Sequence, residues 1–350
     1  MFGSHLSVAG GLINALNDAT ALKLDTVQVF TKNQRQWAVP PLDPAAARDW
    51  LAELARLGWQ RRTVAHDSYL INLASPDDSP GGLWEKSIAS MREELDRAAA
   101  LSIPFLVSHP GAHMIKEGSL DSDARIEAGL VRIARAYKKL LRDTRGYAVT
   151  ICLENTAGGG TTLGVRFEHL ARLRELILSE AGPDADLPKD AATDTHPHTK
   201  GARIGFCLDT CHALAAGYDI SATDPAAGKK RTQPQSRALA AAMLDHFDAT
   251  CGLANLRVLH LNDSLGKHNS RIDRHAHIGQ GHVAPGAFGA IISDPRLEHA
   301  PKILETPKED DPKGIPMDTI NLRTLRKLAA SASKDPSPKA ETKQAAARRK

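Results

Sequence analysis

The sequence predicts a single-domain α/β protein folded as a TIM (β/α)8 barrel, with a metal site at the C-terminal mouth of the strands. Three observations carry that expectation. Short apolar runs of strand length alternate with helical periodicity eight times along the chain. Six of those runs end in His, Asp or Glu, groups that are costly to bury, placed where a buried strand gives way to a loop. The triple glycine at 158–160 does not match the GxGxxG turn that an open dinucleotide-binding sheet would carry. In a closed barrel the carboxyl ends of the strands converge on one mouth, so all six endings face one another.

Phe2 to Ser7 reads as the first strand, and a helical pattern through Leu12, Ala15, Leu16, Ala19 and Leu22 follows it. Asp25 to Thr31 is the second strand. It leads into a polar loop over Lys32 to Trp37 and a helix over Pro44 to Leu57, where Pro44 suits the first turn because its missing N–H would be unpaired there anyway. Arg61 to His66 is the third strand and Phe105 to His109 the fourth, with a helix over Leu83 to Leu101 between them. Tyr147 to Glu154, Ile204 to Asp209, Leu256 to His260 and Lys302 to Glu305 complete the eight, each preceded by helical periodicity. The barrel domain spans residues 1–330, with insertions at about 180–202 and 223–237. The first precedes the sixth strand and is expected away from the mouth, its His196 and His198 solvated. The second follows the sixth strand on the mouth side. Its Lys229, Lys230 and Arg231 read first as a solvated loop and second as contacts to a phosphate backbone.

Composition narrows the class. At 42% hydrophobic and 25% charged the chain is that of a soluble globular protein, and no apolar run approaches the roughly 20 residues that span a bilayer. Lys and Arg number 45 against 41 Asp and Glu, a net charge of +4. The tail over 331–350 holds six basic and two acidic residues and so carries all of that excess. It is expected to be basic, disordered and solvating. The neutral remainder must owe any nucleic-acid binding to local patches or metal ions. Met1 to His5 enters a strand pattern at once, without the regions of a signal peptide, which leads to an expected cytoplasmic location. Cys152, Cys207, Cys211 and Cys251 form no CxxC pair and read as reduced, buried thiols.

Neutral imidazole nitrogen and carboxylate oxygen are zinc ligands, and a polynuclear site needs many of both with at least one carboxylate free to bridge. The mouth offers His66, His109, Glu154, Asp209, His212, His260, Asp273, His275 and Glu305. Any one alone is more often structural; together they exceed what one metal can use, and three metals fit better. His5 reads as a donor behind the ligands, while His113, His277 and His282 have no partner at ligand spacing.

On these residues the chain resembles the endonuclease IV family of apurinic/apyrimidinic endonucleases. The likeness runs from Phe2 to about Leu328, insertions and tail apart, through FTKNQRQW (30–37), HDSYLINL (66–73), HPG (109–111), LENTAG (153–158), CLDTCHALAAGYD (207–219), HLND (260–263), DRHAHIGQG (273–281) and ILET (303–306). The resemblance implies a zinc-dependent deoxyribonuclease IV of base excision repair, with three Zn2+ per chain and Mn2+ an acceptable occupant of one position. The first zinc would take His66, His109 and Glu154; the second would share Glu154 and add Asp209, His260 and Glu305; the third would take His212, Asp273 and His275. Glu154, Glu305 and Asp209 would be the catalytic carboxylates, acting with a metal-bound hydroxide, since zinc lowers the pKa of bound water to about 7. The implied substrate is double-stranded DNA with an abasic site, cut on its 5′ side to leave a 3′-hydroxyl and a 5′-deoxyribose phosphate, with trimming of blocked 3′ ends as well. Arg35, Tyr69 and Leu70 would fill the stack beside the flipped nucleotide. The implied enzyme is a monomer with no membrane partner. The alternatives are a two-metal sugar isomerase on the same barrel and a non-catalytic binder of damaged DNA.

Overall fold

Strands of three to six residues, too short to bury a sheet on their own, close on one another as a ring of parallel neighbours. The computed structural model describes residues 1–116, 122–188 and 201–333. The ring consists of β1 (Phe2–His5), β2 (Thr26–Phe30), β3 (Val64–His66), β4 (Phe105–Ser108), β5 (Thr150–Glu154), β6 (Ile204–Asp209), β7 (Leu256–His260) and β10 (Lys302–Leu304). Each pairs in parallel with its sequence neighbours, and β1 pairs with β10 to close the barrel. The eight-fold alternation predicted a TIM barrel, and that is the architecture. Strand limits are shorter than the spans expected from sequence: the third begins at Val64 rather than Arg61 and the fifth at Thr150 rather than Tyr147.

Two apolar layers hold the ring. Inside it, Val64, Phe105, Val107, Cys152, Cys207, Val258 and Ile303 form a buried plug beneath the mouth. Gly3 makes room on the same wall, because a Cβ there would lie 2.7 Å from Thr26 Cγ2 and 2.8 Å from Ile303 Cδ1. Outside it, the larger core lies between the strands and α1 (Leu12–Ala21), α2 (Pro44–Leu57), α3 (Leu83–Ala100), α4 (Ser122–Asp143), α5 (Phe167–Ala181), α7 (Gln233–Cys251), α8 (Pro285–Ser293) and α9 (Met317–Ser333). Local signals set the helix ends. Asp43 caps α2 by accepting from Ala45 N at 2.9 Å ahead of Pro44, and Gly58 ends it in the left-handed region. Thr232 and Gln235 form a reciprocal capping box on α7. The short helix α6 (Thr210–Ala216) and the antiparallel pair β8 (Asp263–Ser264) and β9 (His275–Ala276) sit apart from the ring, at the mouth.

The described parts of both insertions carry local structure. The first continues α5 to Ala181, makes a 3-10 turn over Gly182–Ala185 and pairs Asp186 with Ala202; its residues 189–200, with His196 and His198, lie outside the described residues. The second pairs Thr223 with Lys230 and joins α7 at Gln233. The boundary at residue 331 falls inside α9, which runs to Ser333, and the tail from 334 onward lies outside the described residues.

Arg203 sets β6 on the opposite face. Its guanidinium is fully buried and, among the described residues, forms an ion pair with no carboxylate. It donates to the carbonyls of Leu141 (3.4 Å), Thr144 (2.9 Å) and Val149 (3.3 Å) and to Thr144 Oγ1 (2.9 Å), at the electronegative C-terminal end of α4. Burial pulls its pKa down to about 10, which still leaves it charged at neutral pH. Arg203→Met keeps the apolar stem and orphans those carbonyls. It is expected to cost about 2–4 kcal/mol in urea unfolding, with an unchanged denaturant slope; a loss below about 0.5 kcal/mol would show that the carbonyls find other donors.

Candidate metal centre

The nine predicted ligands reach the mouth from different elements and meet there. His66, Glu154, Asp209 and His260 are the last residues of β3, β5, β6 and β7. His109 and Glu305 follow β4 and β10 by one residue, His212 lies in the first turn of α6, and Asp273 and His275 belong to the β8–β9 hairpin. Their ligand atoms fall into three sets, each within 4.8 Å of one another: His66, His109 and Glu154; Glu154, Asp209, His260 and Glu305; and His212, Asp273 and His275. Glu154 belongs to two sets. Its Oε2 lies 3.3 Å from His66 Nε2 and 3.0 Å from His109 Nε2, and its Oε1 lies 2.9 Å from His260 Nδ1.

What turns four of the five imidazoles inward, those of His66, His212, His260 and His275, is a bond at the other nitrogen. His66 Nδ1 meets the carbonyl of Asp67 at 3.0 Å, His212 Nδ1 that of Asn155 at 2.9 Å and His275 Nδ1 that of Glu305 at 3.1 Å, so each presents Nε2 to the mouth. His260 is reversed: Gln28 Oε1 holds its Nε2 at 2.9 Å and Nδ1 points inward. The carboxylates are anchored as well. Asn262 Nδ2 donates to Asp209 Oδ2 at 2.6 Å while its Oδ1 accepts from Glu305 N at 2.8 Å. Gln28 Nε2 donates to Glu305 Oε1 at 2.6 Å, and His5 Nδ1 lies 3.2 Å from the same oxygen. Asn155 locks the β5–β6 edge by accepting from Asp209 N at 2.7 Å and donating to Asp209 O at 3.1 Å.

His5 thus stands behind Glu305, as its place at the end of the first strand suggested. Gln28, Asn155 and Asn262 were missed as supporting residues. The signal for the two asparagines was their position beside ligands in LENTAG and HLND, whereas Gln28 looks like any polar residue inside a strand. His277, passed over for lack of a partner, bonds Glu309 at 2.9 Å and Asn321 at 3.1 Å and lies outside the three sets. Arg231 is corrected: its guanidinium pairs with both oxygens of Asp219, at 2.5 and 2.6 Å, so it braces its own loop rather than offering a free charge.

The donor set fits divalent zinc. Buried His109 Nε2 and His275 Nε2 make no hydrogen bond, although His109 Nε2 is only 3.0 Å from a Glu154 oxygen. Close but misaligned donors and acceptors are what ligands aimed at a common point look like, as tetrahedral zinc requires. Cys207 and Cys211 approach two of the sets, and in the protein alone burial pushes both thiols up to about 12, so they stand there as protonated neighbours of the His and carboxylate ligands.

In the protein alone these groups balance one another's charge. Burial opposes the charge of His66, but the hydrogen bond to Glu154, with the charges of Glu154, Glu305 and Asp67, pushes its pKa up to about 9. At His212 burial is likewise outweighed, by Asp209, Asp273 and Glu154, and its pKa stands well above the ordinary value. Glu154 moves the other way: burial favours its neutral form, yet His260 and His109 hold it well below the carboxylate range.

Residues 16–187 and 190–328 match a family model described as xylose isomerase-like TIM barrel. A relative from Chloroflexus aurantiacus named "Probable endonuclease 4" is 42% identical over 331 residues, which is 95% of this chain and 99% of that one. Another of the same name from Citrifermentans bemidjiense is 36% identical over 328 residues, 94% and 98% of the two chains. The crystal structure of endonuclease IV from Thermus thermophilus superposes with a TM-score of 0.69 at 35% identity, covering 95% of this chain and 99% of that one.

A pH prediction follows from the charge balance in chelator-treated protein. The raised His66 pKa contributes stability that is full below its unfolded value of about 6.5 and is lost as pH rises through about 9. The depressed Glu154 contributes stability above its unfolded value of about 4.3, lost as pH falls further. Thermal melts of the treated protein should therefore peak between about pH 4.5 and 6.5. Zinc added at pH 7 should release protons, read with an indicator dye in weak buffer, because His66 must give one up to bind. Zinc uptake without proton release would contradict that charge balance.

Proposed function

Since the chain belongs to the endonuclease IV family, we propose that it is a zinc-dependent apurinic/apyrimidinic endonuclease of base excision repair. In this reading it hydrolyses the phosphodiester 5′ to an abasic site in duplex DNA, leaving a 3′-hydroxyl and a 5′-deoxyribose phosphate. It also trims blocked 3′ ends at the same site. The observation that supports it most is the sharing of Glu154 between two ligand sets, beside a third within the same mouth.

His66, His109 and Glu154 would hold one zinc, Glu154, Asp209, His260 and Glu305 a second, and His212, Asp273 and His275 a third. Zinc bound there would supply Lewis acidity toward the phosphoryl and leaving oxygens and activate water for attack, so that no covalent nucleophile is needed. The chain's own part is to fix the ligands. Gln28, Asn155 and Asn262 hold the ligand atoms before substrate arrives, which removes reorganisation from the chemical step. Asp273, half exposed where Glu154 and Asp209 are fully buried, sets the side from which the phosphate enters.

The DNA side rests on the loops after β2 and β3. Tyr69 is 62% exposed, stands edge-on to Phe30 at 5.4 Å between centroids and is therefore an available wedge rather than a packed core residue. Leu70 is half-buried behind it, and Arg35 is exposed on the neighbouring loop. Ser68 Oγ donates to Gln34 O at 2.8 Å and ties the two loops together. An aromatic and apolar wedge offsets part of the unstacking cost, and that cost is lower where a base is already missing. Beside the mouth a cavity of about 410 Å³, lined by Tyr69, Asn72, His109, His212 and Asp273, would receive the extruded sugar.

Incision of a duplex carrying one tetrahydrofuran abasic analogue tests the reading, because that analogue cannot undergo β-elimination. Zinc-loaded protein should cut 5′ to it, and Glu154→Ala should lower the rate by roughly three orders of magnitude while losing bound metal. Tyr69→Ala should raise KM roughly ten-fold through lost stacking. An intact strand with fully loaded wild type would end this reading and send attention to sugar substrates.

A further inference from the structure

The loop that carries Arg35 is tied to α3 through charges that it hides from solvent. A lysine just ahead of the wedge would be expected to reach for phosphate, yet the Lys32 side chain is 1% exposed and turned inward. Its Nζ donates to Ser90 Oγ at 2.9 Å and to Glu93 Oε2 at 3.0 Å, and lies 3.8 Å from Glu94 Oε1. Thr31 Oγ1 donates to Glu94 Oε2 at 2.8 Å. Arg97, about one turn further along α3, donates from Nη1 to Thr31 O at 3.2 Å and from Nη2 to Pro40 O. Its Nε donates to Glu93 Oε1 at 3.1 Å, which closes the cluster. The helix therefore grips the loop at Thr31 and Lys32, where it leaves β2, and again at Pro40, ahead of α2. The stretch between the grips, 33–39, holds Arg35 and contains neither helix nor strand.

Burying this cluster opposes folding. Burial pushes the Glu94 carboxyl up to about 7, even against the Lys32 charge and the Thr31 bond. Apolar groups of similar volume would hold α3 to the loop without that desolvation, but they would not fix a direction. An ammonium or guanidinium set among named oxygens does, because each charge-assisted bond constrains the stem and the backbone that bears it. The loop's other tie, from Ser68 Oγ to Gln34 O, leads to the residue before Tyr69, so both ties converge on the wedge. Resting on the reading of the chain as an abasic-site nuclease, we propose that Lys32, Glu94 and Arg97 are positioning residues that hold the Arg35 loop in the conformation that enters the base stack. They act through the loop and contact neither DNA nor metal. The clasp serves discrimination for the abasic nucleotide more than affinity for duplex in general, since a preorganised wedge spends no binding energy on its own ordering.

Full-length, zinc-loaded wild type is compared with Lys32→Met, Arg97→Lys, Arg35→Ala and the double variant Lys32→Met with Arg35→Ala. Metal content and trypsin cleavage after Arg35 are read without DNA, except in the two variants that lack that arginine, which give metal content alone. Binding and incision are then read with tetrahydrofuran and undamaged duplexes. Lys32→Met keeps the apolar stem and leaves Glu94 free to take a proton, so bound zinc should persist while cleavage after Arg35 quickens roughly ten-fold. Its kcat/KM on the tetrahydrofuran duplex should fall roughly ten-fold, mostly through KM, with the affinity for undamaged duplex changed less than about two-fold and the salt slope unchanged. In the Arg35→Ala background the same substitution should matter less than about two-fold, because a clasp acting through Arg35 has nothing left to place. Arg97→Lys, with one ammonium in place of the fork that reaches both Thr31 O and Pro40 O, should fall between wild type and Lys32→Met; it carries the comparison if Lys32→Met fails to load zinc. Losses that multiply in the double variant would mean general destabilisation, and a shallower salt slope would mean direct phosphate contact; either overturns the clasp. Wild-type incision and trypsin cleavage in both Lys32→Met and Arg97→Lys would also overturn it and leave the nuclease reading standing. A wild type that cuts nothing would remove the nuclease reading and with it the wedge to be placed, even where trypsin shows the loop set free.

Discussion

One buried carboxylate organises the mouth. Glu154 is fully buried at the end of β5 and lies within 3.4 Å of four imidazole nitrogens, those of His66, His109, His212 and His260. A carboxylate with no solvent must be compensated, and uncompensated it would cost several kcal/mol. The partners come from β3, β4, β7 and α6, so charge compensation at one point draws four elements into register. The supporting bonds through Asn155, Asn262 and Gln28 are the next layer of the same requirement, because each leaves a ligand atom only one direction in which to point.

Burial of this kind trades stability for readiness. Apolar residues of similar volume at the nine positions would pack as well and avoid the desolvation, as the plug of Val64, Val107, Cys152, Cys207 and Ile303 just beneath them does. The boundary between plug and ligands is one residue deep along each strand: Cys152 and Glu154 share a face of β5, as do Cys207 and Asp209 of β6. Period-two alternation therefore puts plug and ligand on one inward face, and position along the strand separates structure from chemistry.

That alternation also explains what could be read from the sequence. The barrel and the ligand positions were legible because a His or Glu closing an apolar run breaks a hydrophobic pattern, and a break is visible. Gln28 was not, since its importance lies in reaching both His260 and Glu305 from a strand distant from each in sequence. Arg231 misled for the converse reason: three consecutive basic residues look alike until Asp219, twelve residues earlier, is seen to take one of them. The third strand was overestimated at Arg61 because that residue turns in the left-handed region, at φ +62°, and the fifth at Tyr147 because its N–H closes a turn on Thr144 O instead of joining the ladder. Long-range pairing lies beyond pattern reading, while local breaks in pattern do not.

Closure of the ring by β1 and β10 ties assembly of the mouth to chain completion. Phe2 pairs with Lys302, and Glu305 follows immediately after the closing strand. On the ribosome, β1 waits for its neighbour until some three hundred residues have emerged, and contacts of such sequence separation form late. A nascent or prematurely ended chain can hold His66, His109 and Glu154 yet has neither the closing strand nor Glu305. Vectorial synthesis thus delays the complete ligand constellation until the barrel that confines it can shut.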